Sequence, residues 1–86
     1  MKHDNELRDR TKKFALRIIR LSSSLKNSRE ADVIGRQVLR SGTSVGAQFR
    51  EAYRAKSKAD YISKLTGSIQ ELDETQYWIE LLLELE

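Results

Sequence analysis

The stretch from Val33 to Leu65 constrains the fold most, because a helical apolar repeat and a line of glycines run together through its first half. Its apolar side chains recur at spacings of three and four residues, with Ser41 at one position of the series, which indicates a helix with one buried face. The chain contains no proline, so no residue of that kind interrupts the repeat. We predict a long helix here, capped by Ser28 and running to about Ala55. The apolar members are Ile34, Val38, Val45, Phe49 and Ala52.

Gly35, Gly42 and Gly46, three of the four glycines, share one side of this helix. A glycine in a helix interior costs up to about 1 kcal/mol relative to alanine, so three in a line indicate that the missing side chains have a use. The first interpretation is close approach of a neighbouring helix. The alternatives are close approach of a nucleic-acid backbone, and a bend or cap at Ser41–Gly42.

Two further helices are predicted, one on either side of the central one. Residues 5–26 carry an apolar seam of the kind found in helical bundles. Ser57 and Asp60 resemble a capping box with aspartate in place of glutamate, and they begin a third helix with a broad apolar stripe. Short turns between three such helices predict an all-α fold, an antiparallel up-and-down bundle that forms a single domain over residues 1–86. The seam consists of Leu7, Thr11, Phe14, Ile18, Leu21 and Leu25.

The apolar residues exceed what this short chain is expected to cover by itself. Leu16 and Ile19 point away from the seam and predict a second contact surface, and Trp78 adds aromatic area for core or interface packing. The third helix is still apolar at its end, LLLELE, which indicates that a further helix or another chain covers it. A core built from 86 residues is marginal alone, so we predict a homo-oligomer with these three residues at its contacts.

Residue types for catalysis and metal binding are scarce. There is no cysteine, and the single histidine, His3, lies near the N-terminus with no partner at a telling spacing. No phosphate-loop, dinucleotide-binding or nucleophile-elbow pattern occurs. Glu71 and Glu74 share a helix side, but a di-metal bundle site would need Glu-x-x-His, so salt bridges to another helix are the interpretation. We predict no enzymatic activity, catalytic residue, cofactor, metal site or small-molecule substrate.

A membrane partner is not expected either. No apolar run approaches the roughly 20 residues of a transmembrane helix, and the N-terminal segment lacks the apolar core of a signal peptide. A cytoplasmic protein is therefore the expectation.

The formal net charge of +3 hides an uneven distribution. Residues 1–57 carry 14 Lys and Arg against 6 Asp and Glu, a net +8, whereas residues 58–86 carry 2 against 7, a net −5. Pairing between helices or subunits is the ordinary interpretation, and contact with the phosphates of RNA or DNA is the other. No helix-turn-helix, RNA-recognition or zinc-finger pattern accompanies the cations. The candidate nucleic-acid-binding residues are Arg10, Lys13, Arg17 and Arg20 on the first helix, and Arg36, Arg40, Arg50 and Arg54 on the second.

The run GRQ-x-LRSGTSVGA-x-x-REA-x-RA-x-SKADYISKL, residues 35–65, resembles the four helix bundle protein family. Some members of that family are encoded by intervening sequences inside 23S ribosomal RNA genes. Similarity continues from Ala31 to Leu82 and covers most of the chain. The resemblance implies an antiparallel bundle that assembles into a ring-like homopentamer. It also implies kinship with the accessory variability proteins of diversity-generating retroelements, whose basic pentamers bind nucleic acid.

The chain departs from the family pattern at two places. Members usually have asparagine where this chain has Gln48, and they continue into a fourth helix where this sequence stops at Glu86. Either that helix is missing from this sequence or another subunit completes the bundle. The polar residues carried over from the family pattern are interpreted as an interhelical hydrogen-bond network rather than a ligand site, with Glu51 close to the buried face. They are Gln37, Ser41, Ser44, Glu51, Glu71 and Glu74.

Overall fold

Three α-helices follow one another along the chain: α1 (Lys2–Ser23), α2 (Arg29–Tyr53) and α3 (Lys58–Glu84). They are seen in a computed structural model that describes residues 2–85, and the side chains of residues 5–85. No strand occurs within this described part of the chain. The predicted all-α fold with three helices is confirmed.

The first helix ends at Ser23, three residues earlier than the predicted end at residue 26. Three consecutive serines explain the early end, because their hydroxyls donate to carbonyls of the last turn and compete with the backbone for them. Ser22 and Ser23 both donate to the Ile19 carbonyl, at 3.1 and 2.9 Å. The hydroxyl and the backbone N–H of Ser24 both donate to the Leu21 carbonyl.

Side-chain caps begin the other two helices at the predicted residues. The Ser28 hydroxyl accepts a hydrogen bond from the Ala31 N–H at 3.0 Å, and the Ser57 hydroxyl accepts one from the Asp60 N–H at 3.1 Å. Each bond satisfies one of the amide groups that a helix leaves unpaired at its N-terminus. The Asp60 carboxylate accepts from the Lys56 N–H at 3.4 Å, one residue before the position that a standard capping box would use.

α1 and α3 both pack on α2, and within the described residues they do not pack on each other. The result is an elongated molecule of 44 × 21 × 16 Å. Neighbouring helices are antiparallel, as predicted. α2 is therefore the central element, and each of its sides meets a different partner.

The glycine line of α2 is the surface on which α1 lies. A Cβ added to Gly42 would lie 2.7 Å from Cγ2 of Ile18, which is closer than two carbon atoms approach without contact strain. The equivalent atom would lie 2.9 Å from Leu25 at Gly35, and 3.1 Å from Thr11 at Gly46. Close approach of a neighbouring helix is thus the interpretation that the structure confirms. α2 continues unbroken through Ser41–Gly42 and has its caps at Ser28 and Arg54, so the alternative of a break with a cap at Ser41–Gly42 is wrong.

Small polar side chains make the α2–α3 contact. The buried hydroxyls of Thr75 and Ser41 lie 2.8 Å apart, and the buried Ser68 hydroxyl donates to the Val45 carbonyl at 2.7 Å. Small side chains at such a contact allow two helix backbones to approach closely. The buried apolar core lies mainly along α2, and its members are Ile18, Val38, Val45, Phe49 and Ala52.

An apolar groove remains open between α1 and α3. At one end it widens into a cavity of about 440 Å³ between the C-terminal parts of these helices, with Leu21, Ile79 and Leu83 among its lining. Further along α3, Ile62 and Ile69 expose more than half of their surface. None of the helices in the described part of the chain combines the length and apolarity that crossing a bilayer requires.

Candidate nucleic-acid interface

Four cations form a row on α1, which we call the α1 basic row: Arg10, Lys13, Arg17 and Arg20. All four side chains are exposed. At about 100° per residue they lie roughly 80 to 160° around the helix from Ile18, the residue that meets α2, so they face solvent. Among residues 5–85, no carboxylate lies within 4.0 Å of any of them. The row spans about three helical turns.

The arginines predicted on α2 separate into two groups. Arg36, Arg50 and Arg54 are exposed on the side of α2 opposite Val45. That side is turned away from the groove between α1 and α3, whereas the α1 basic row borders the groove. The two sets of cations therefore lie on different sides of the molecule and do not form one continuous surface.

Arg40 is engaged with α3. Its guanidinium forms an ion pair with Glu74 and lies 3.5 Å from the Glu71 carboxylate, and its Nε donates to the Gln37 side chain at 3.2 Å. Two carboxylates neutralise this arginine within the chain. It is consequently a poorer candidate for phosphate contact than the other seven predicted cations.

The pair is part of a wider polar cluster between α2 and α3, which we call the Arg40 cluster. The Trp78 indole N–H donates to Glu74 at 3.0 Å, and the Gln48 amide donates to Glu71 at 3.4 Å. The hydrogen bond from Trp78, followed by that from Arg40, holds the pKa of the Glu74 carboxyl below its ordinary value. The cluster consists of Gln37, Arg40, Gln48, Glu71, Glu74 and Trp78.

Two residues predicted for the polar network lie outside this cluster. The Ser44 hydroxyl donates to the Arg40 carbonyl at 2.7 Å within its own helix, as serines in helices often do. Glu51 is exposed and approaches Lys64 of α3 at 3.6 Å. The prediction that Glu51 lies close to the buried face is therefore wrong, because its position on α2 points the carboxylate along the solvent edge of the α2–α3 contact.

Ser41 is buried and reaches a partner that the sequence interpretation missed. Its hydroxyl lies 2.8 Å from that of Thr75, and the two hydroxyls also approach the carbonyls of Gln37 and Glu71 at 2.7 Å. Thr75 lies four residues after Glu71, on the same side of α3. That i, i+4 spacing is the signal from which it could have been found.

The residues predicted at subunit contacts differ in their surroundings. Leu16 and Ile19 each expose 42% of their surface. Trp78 is half-buried, with its indole N–H bonded to Glu74 and its ring centroid 5.1 Å from that of Tyr77. Contacts between subunits at these positions stay a prediction.

A second cluster, absent from the sequence interpretation, lies where the N-terminal part of α1 meets the C-terminal end of α2. Arg8, Arg50, Tyr53 and Arg54 line a cavity of about 470 Å³, which we call the arginine pocket. The Arg8 guanidinium lies 5.6 Å from the centroid of the Tyr53 ring, within the range of a cation–π contact. Helical spacing is the sequence signal for the pocket. Thr11 of α1 packs against Gly46 of α2. Arg8 lies one turn before Thr11 and Tyr53 lies two turns after Gly46, so the antiparallel helices bring these two residues together.

Comparisons with known proteins agree with this architecture. A family model described as 23S rRNA-intervening sequence protein matches residues 3–86. The crystal structure of a protein of unknown function from the S23 ribosomal protein family, from Bacteroides thetaiotaomicron, is 48% identical to this chain. The similarity covers the whole of this chain and 76% of that one, with a TM-score of 0.90. None of the curated proteins matches significantly.

Proposed function

Because the chain belongs to the 23S rRNA-intervening sequence protein family, we propose that it is a non-enzymatic, self-assembling helical protein that binds RNA or DNA. The α1 basic row is the proposed contact, and the cytoplasm is the proposed location. A relation to the accessory variability proteins of retroelements is part of the same proposal. The contact rests on charge placement, the relation rests on the sequence resemblance, and the location rests on the absence of a transmembrane-length apolar run in the sequence.

The observation that carries the proposal is the α1 basic row itself. Arg10 and Arg20 are ten residues apart, so the row extends about 15 Å along the helix at a rise of about 1.5 Å per residue. A nucleic-acid strand presents a phosphate every 3.4 Å or so of helix axis, and four cations over this length match a short stretch of such a backbone. Arg40 differs from the α1 basic row, because it pairs with two carboxylates of a neighbouring helix.

Phosphate contacts of this kind carry little sequence information but depend strongly on salt. Each neutralised phosphate releases condensed counterions, which changes the slope of log affinity against log salt by about 0.7 for a single strand and 0.9 for a duplex. Four contacts from the row therefore account for a slope of about −3. We expect affinity without marked preference for base sequence.

The test replaces all four cations of the row by glutamine, which keeps helix propensity nearly unchanged. Fluorescence anisotropy with a labelled single-stranded RNA, measured from about 50 to 200 mM salt, should show tight binding by the natural sequence and a slope of about −3. The quadruple variant should lose most of the affinity and nearly all of this slope. Repeating the measurement with DNA of the same sequence distinguishes the two nucleic acids.

A matched control removes the same charge elsewhere. Lys26, Arg29, Lys56 and Lys58 are exposed in or next to the two turns, and their replacement by glutamine also lowers the net charge by four. The control variant should keep the slope of the natural sequence. Equal losses of affinity in the two variants would mean that binding depends on net charge alone and would refute the assignment of the contact to the α1 basic row. No RNA or DNA binding by the natural sequence at about 50 mM salt would refute the proposed nucleic-acid binding as a whole.

Self-assembly is supported by apolar surface that the three helices leave open. The cavity lined by Leu21, Ile79 and Leu83 is open and apolar, and contiguous exposed apolar surface marks interaction sites. Leu16 and Ile19 on α1, and Ile62 and Ile69 on α3, are exposed as well. The resemblance to the four helix bundle family favours a pentamer, whose mass would be five times 10.0 kDa, or 50 kDa. Light scattering coupled to size-exclusion chromatography tests this, and a mass near 10.0 kDa would refute it.

A purely structural or protein-interaction role is the second candidate. The Arg40 cluster favours it, because it shows one of the predicted nucleic-acid contacts used between helices instead. If the protein self-assembles but binds neither RNA nor DNA at low salt, nucleic-acid binding is refuted and the structural or protein-interaction role is supported.

A further inference from the structure

We propose that the arginine pocket binds a phosphate monoester, with the dianionic phosphate held by the guanidinium groups of Arg8, Arg50 and Arg54. The pocket lies between the N-terminal part of α1 and the last turn of α2. This inference extends the proposed function, because Arg50 and Arg54 are also candidate nucleic-acid contacts, but it concerns a discrete site and a defined chemical group.

The pocket is organised by the aromatic side chains of α2. Phe49 is buried, with 7% of its surface exposed, and its ring meets the Tyr53 ring edge-on at a centroid distance of 5.6 Å and an interplanar angle of 89°. Arg8 then lies over the face of the Tyr53 ring. Contacts with a buried ring on one side and a cation on another restrict Tyr53 and Arg8 before a ligand arrives, which lowers the entropy lost on binding.

The number and type of cations select the ligand. A guanidinium presents a planar fork of N–H donors that matches a phosphate or carboxylate in two-point hydrogen bonds. One carboxylate carries a single charge, whereas a phosphate monoester carries about −1.5 to −2 at pH 7. Three guanidinium groups and a tyrosine around one cavity therefore suit the phosphate monoester better.

The size of the pocket indicates that the phosphate arrives attached to a larger group. Its volume of about 470 Å³ lies within the range of about 300 to 1,000 Å³ found for small-molecule sites. A phosphate alone would leave most of this space filled by solvent. A nucleotide, or the 5′-phosphorylated end of a nucleic-acid strand, would place a sugar and a base in the remainder.

Helix electrostatics alone does not account for the cluster. The C-terminus of α2, which ends at Tyr53, carries the equivalent of about half a negative charge, and Arg50 in its last turn already complements it. Two further guanidinium groups, from Arg8 and Arg54, exceed that requirement. The dipole also repels anions, so an anion site at this position needs several cations, and the pocket supplies three.

The test is a titration of the full chain, labelled with ¹⁵N, with inorganic phosphate and then with adenosine 5′-monophosphate at constant ionic strength. Signals of the arginine Nε–H groups and of Tyr53 should move together and saturate. Replacing Arg54 by glutamine should weaken binding of both probes at least about ten-fold, the loss expected for a hydrogen bond between charged groups. The matched control Arg29→Gln, at an exposed arginine at the other end of α2, should leave the dissociation constant unchanged.

A second variant, Arg8→Lys, separates geometry from charge. Lysine keeps the charge but loses the planar fork, so binding should weaken several-fold if the pocket holds the phosphate as proposed. Wild-type affinity in Arg8→Lys, or shifts distributed over all arginines without saturation, would refute the site. Both variants should keep the circular dichroism spectrum of the natural sequence, because all of these arginines are at the surface.

RNA oligomers with and without a 5′-phosphate identify the source of the ligand. Tighter binding of the phosphorylated oligomer, abolished by Arg54→Gln, would assign the pocket to strand ends. Equal binding of the two oligomers, with saturable nucleotide binding, would assign it to a free phosphate ester. Phosphate binding without any RNA binding would support the pocket and refute the proposed function. RNA binding without phosphate binding would support the proposed function and refute the pocket.

Discussion

Replacing Gly42 by alanine tests the close contact between α1 and α2. The added methyl carbon would lie 2.7 and 2.8 Å from Cγ2 and Cγ1 of Ile18, and 3.2 Å from its Cβ. Carbon atoms prefer a separation of about 3.5 to 4.0 Å, so the overlap is about 1 Å. Ile18 is β-branched and 3% exposed, so it has little freedom to rotate away. The overlap must therefore be relieved by moving α1 away from α2.

Two opposing terms set the magnitude. Alanine gains about 1 kcal/mol over glycine in helix propensity, and overpacking a core costs about 1 to 3 kcal/mol. We expect a net loss of about 1 kcal/mol of stability for Gly42→Ala. Gly35→Ala is the matched control, because its new methyl would meet only the flexible end of Leu25, at 2.9 Å. That side chain can rotate, so Gly35→Ala should stabilise the protein by up to about 1 kcal/mol.

A double-mutant cycle with Ile18→Ala isolates the contact. Ile18→Ala alone should cost about 2 to 5 kcal/mol through the cavity that it leaves. In the Gly42→Ala background it should cost at least about 1 kcal/mol less, since it then also removes the overlap.

Urea unfolding followed by circular dichroism supplies the free energies. All variants are compared at one protein concentration, because self-association would make apparent stability depend on it. If Gly42→Ala proves as stabilising as Gly35→Ala, or if the cycle is additive, the packing of α1 against α2 through Ile18 is refuted.

Three further predictions concern other parts of the fold. Ser41→Ala or Thr75→Val should each cost about 1 kcal/mol in urea unfolding, whereas the double variant should cost less than their sum, because the hydrogen bond between the two hydroxyls can be lost only once. The hydrogen bond from Trp78 lowers the pKa of the Glu74 carboxyl. The ionised carboxylate therefore stabilises the fold above its ordinary pKa near 4.3, and this stabilisation is lost as the pH falls through the lower pKa of the folded protein. Tryptophan fluorescence should change over that pH range, and Glu74→Gln should abolish the change. Ile19→Lys should reduce the mass in light scattering toward 10.0 kDa without loss of helix.

Helix existence and helix starts could be predicted because their causes are local. The repeat of Ile34, Val38 and Val45 indicates a helix without any knowledge of its neighbours. The caps at Ser28 and Ser57 depend on atoms three residues away, which the sequence displays directly. The three serines that weaken the end of α1 are visible in the sequence as well, but the turn at which the helix stops depends on which carbonyls their hydroxyls reach.

The roles of individual arginines were less accessible. Arg36 and Arg40 are one helical turn apart and have similar positions in the helical repeat, yet of the two only Arg40 lies within 4.0 Å of a carboxylate among residues 5–85. The arginine pocket was missed as a unit because it joins Arg8 of α1 to Tyr53 of α2. Neither pairing follows from charge or periodicity within one helix.

The sequence by itself determined that three helices form, where two of them begin, and that the glycine side of α2 has no side chains to keep a neighbour away. Only the tertiary structure decided that α1 takes that side, that α3 takes the Ser41 side, and that α1 and α3 leave a groove between them. The physical reason is that helix formation depends on contacts within a few residues. Pairs such as Arg40 and Glu74, 34 residues apart, depend on the rotation and register of two whole helices, which are set by the packing of all their side chains together.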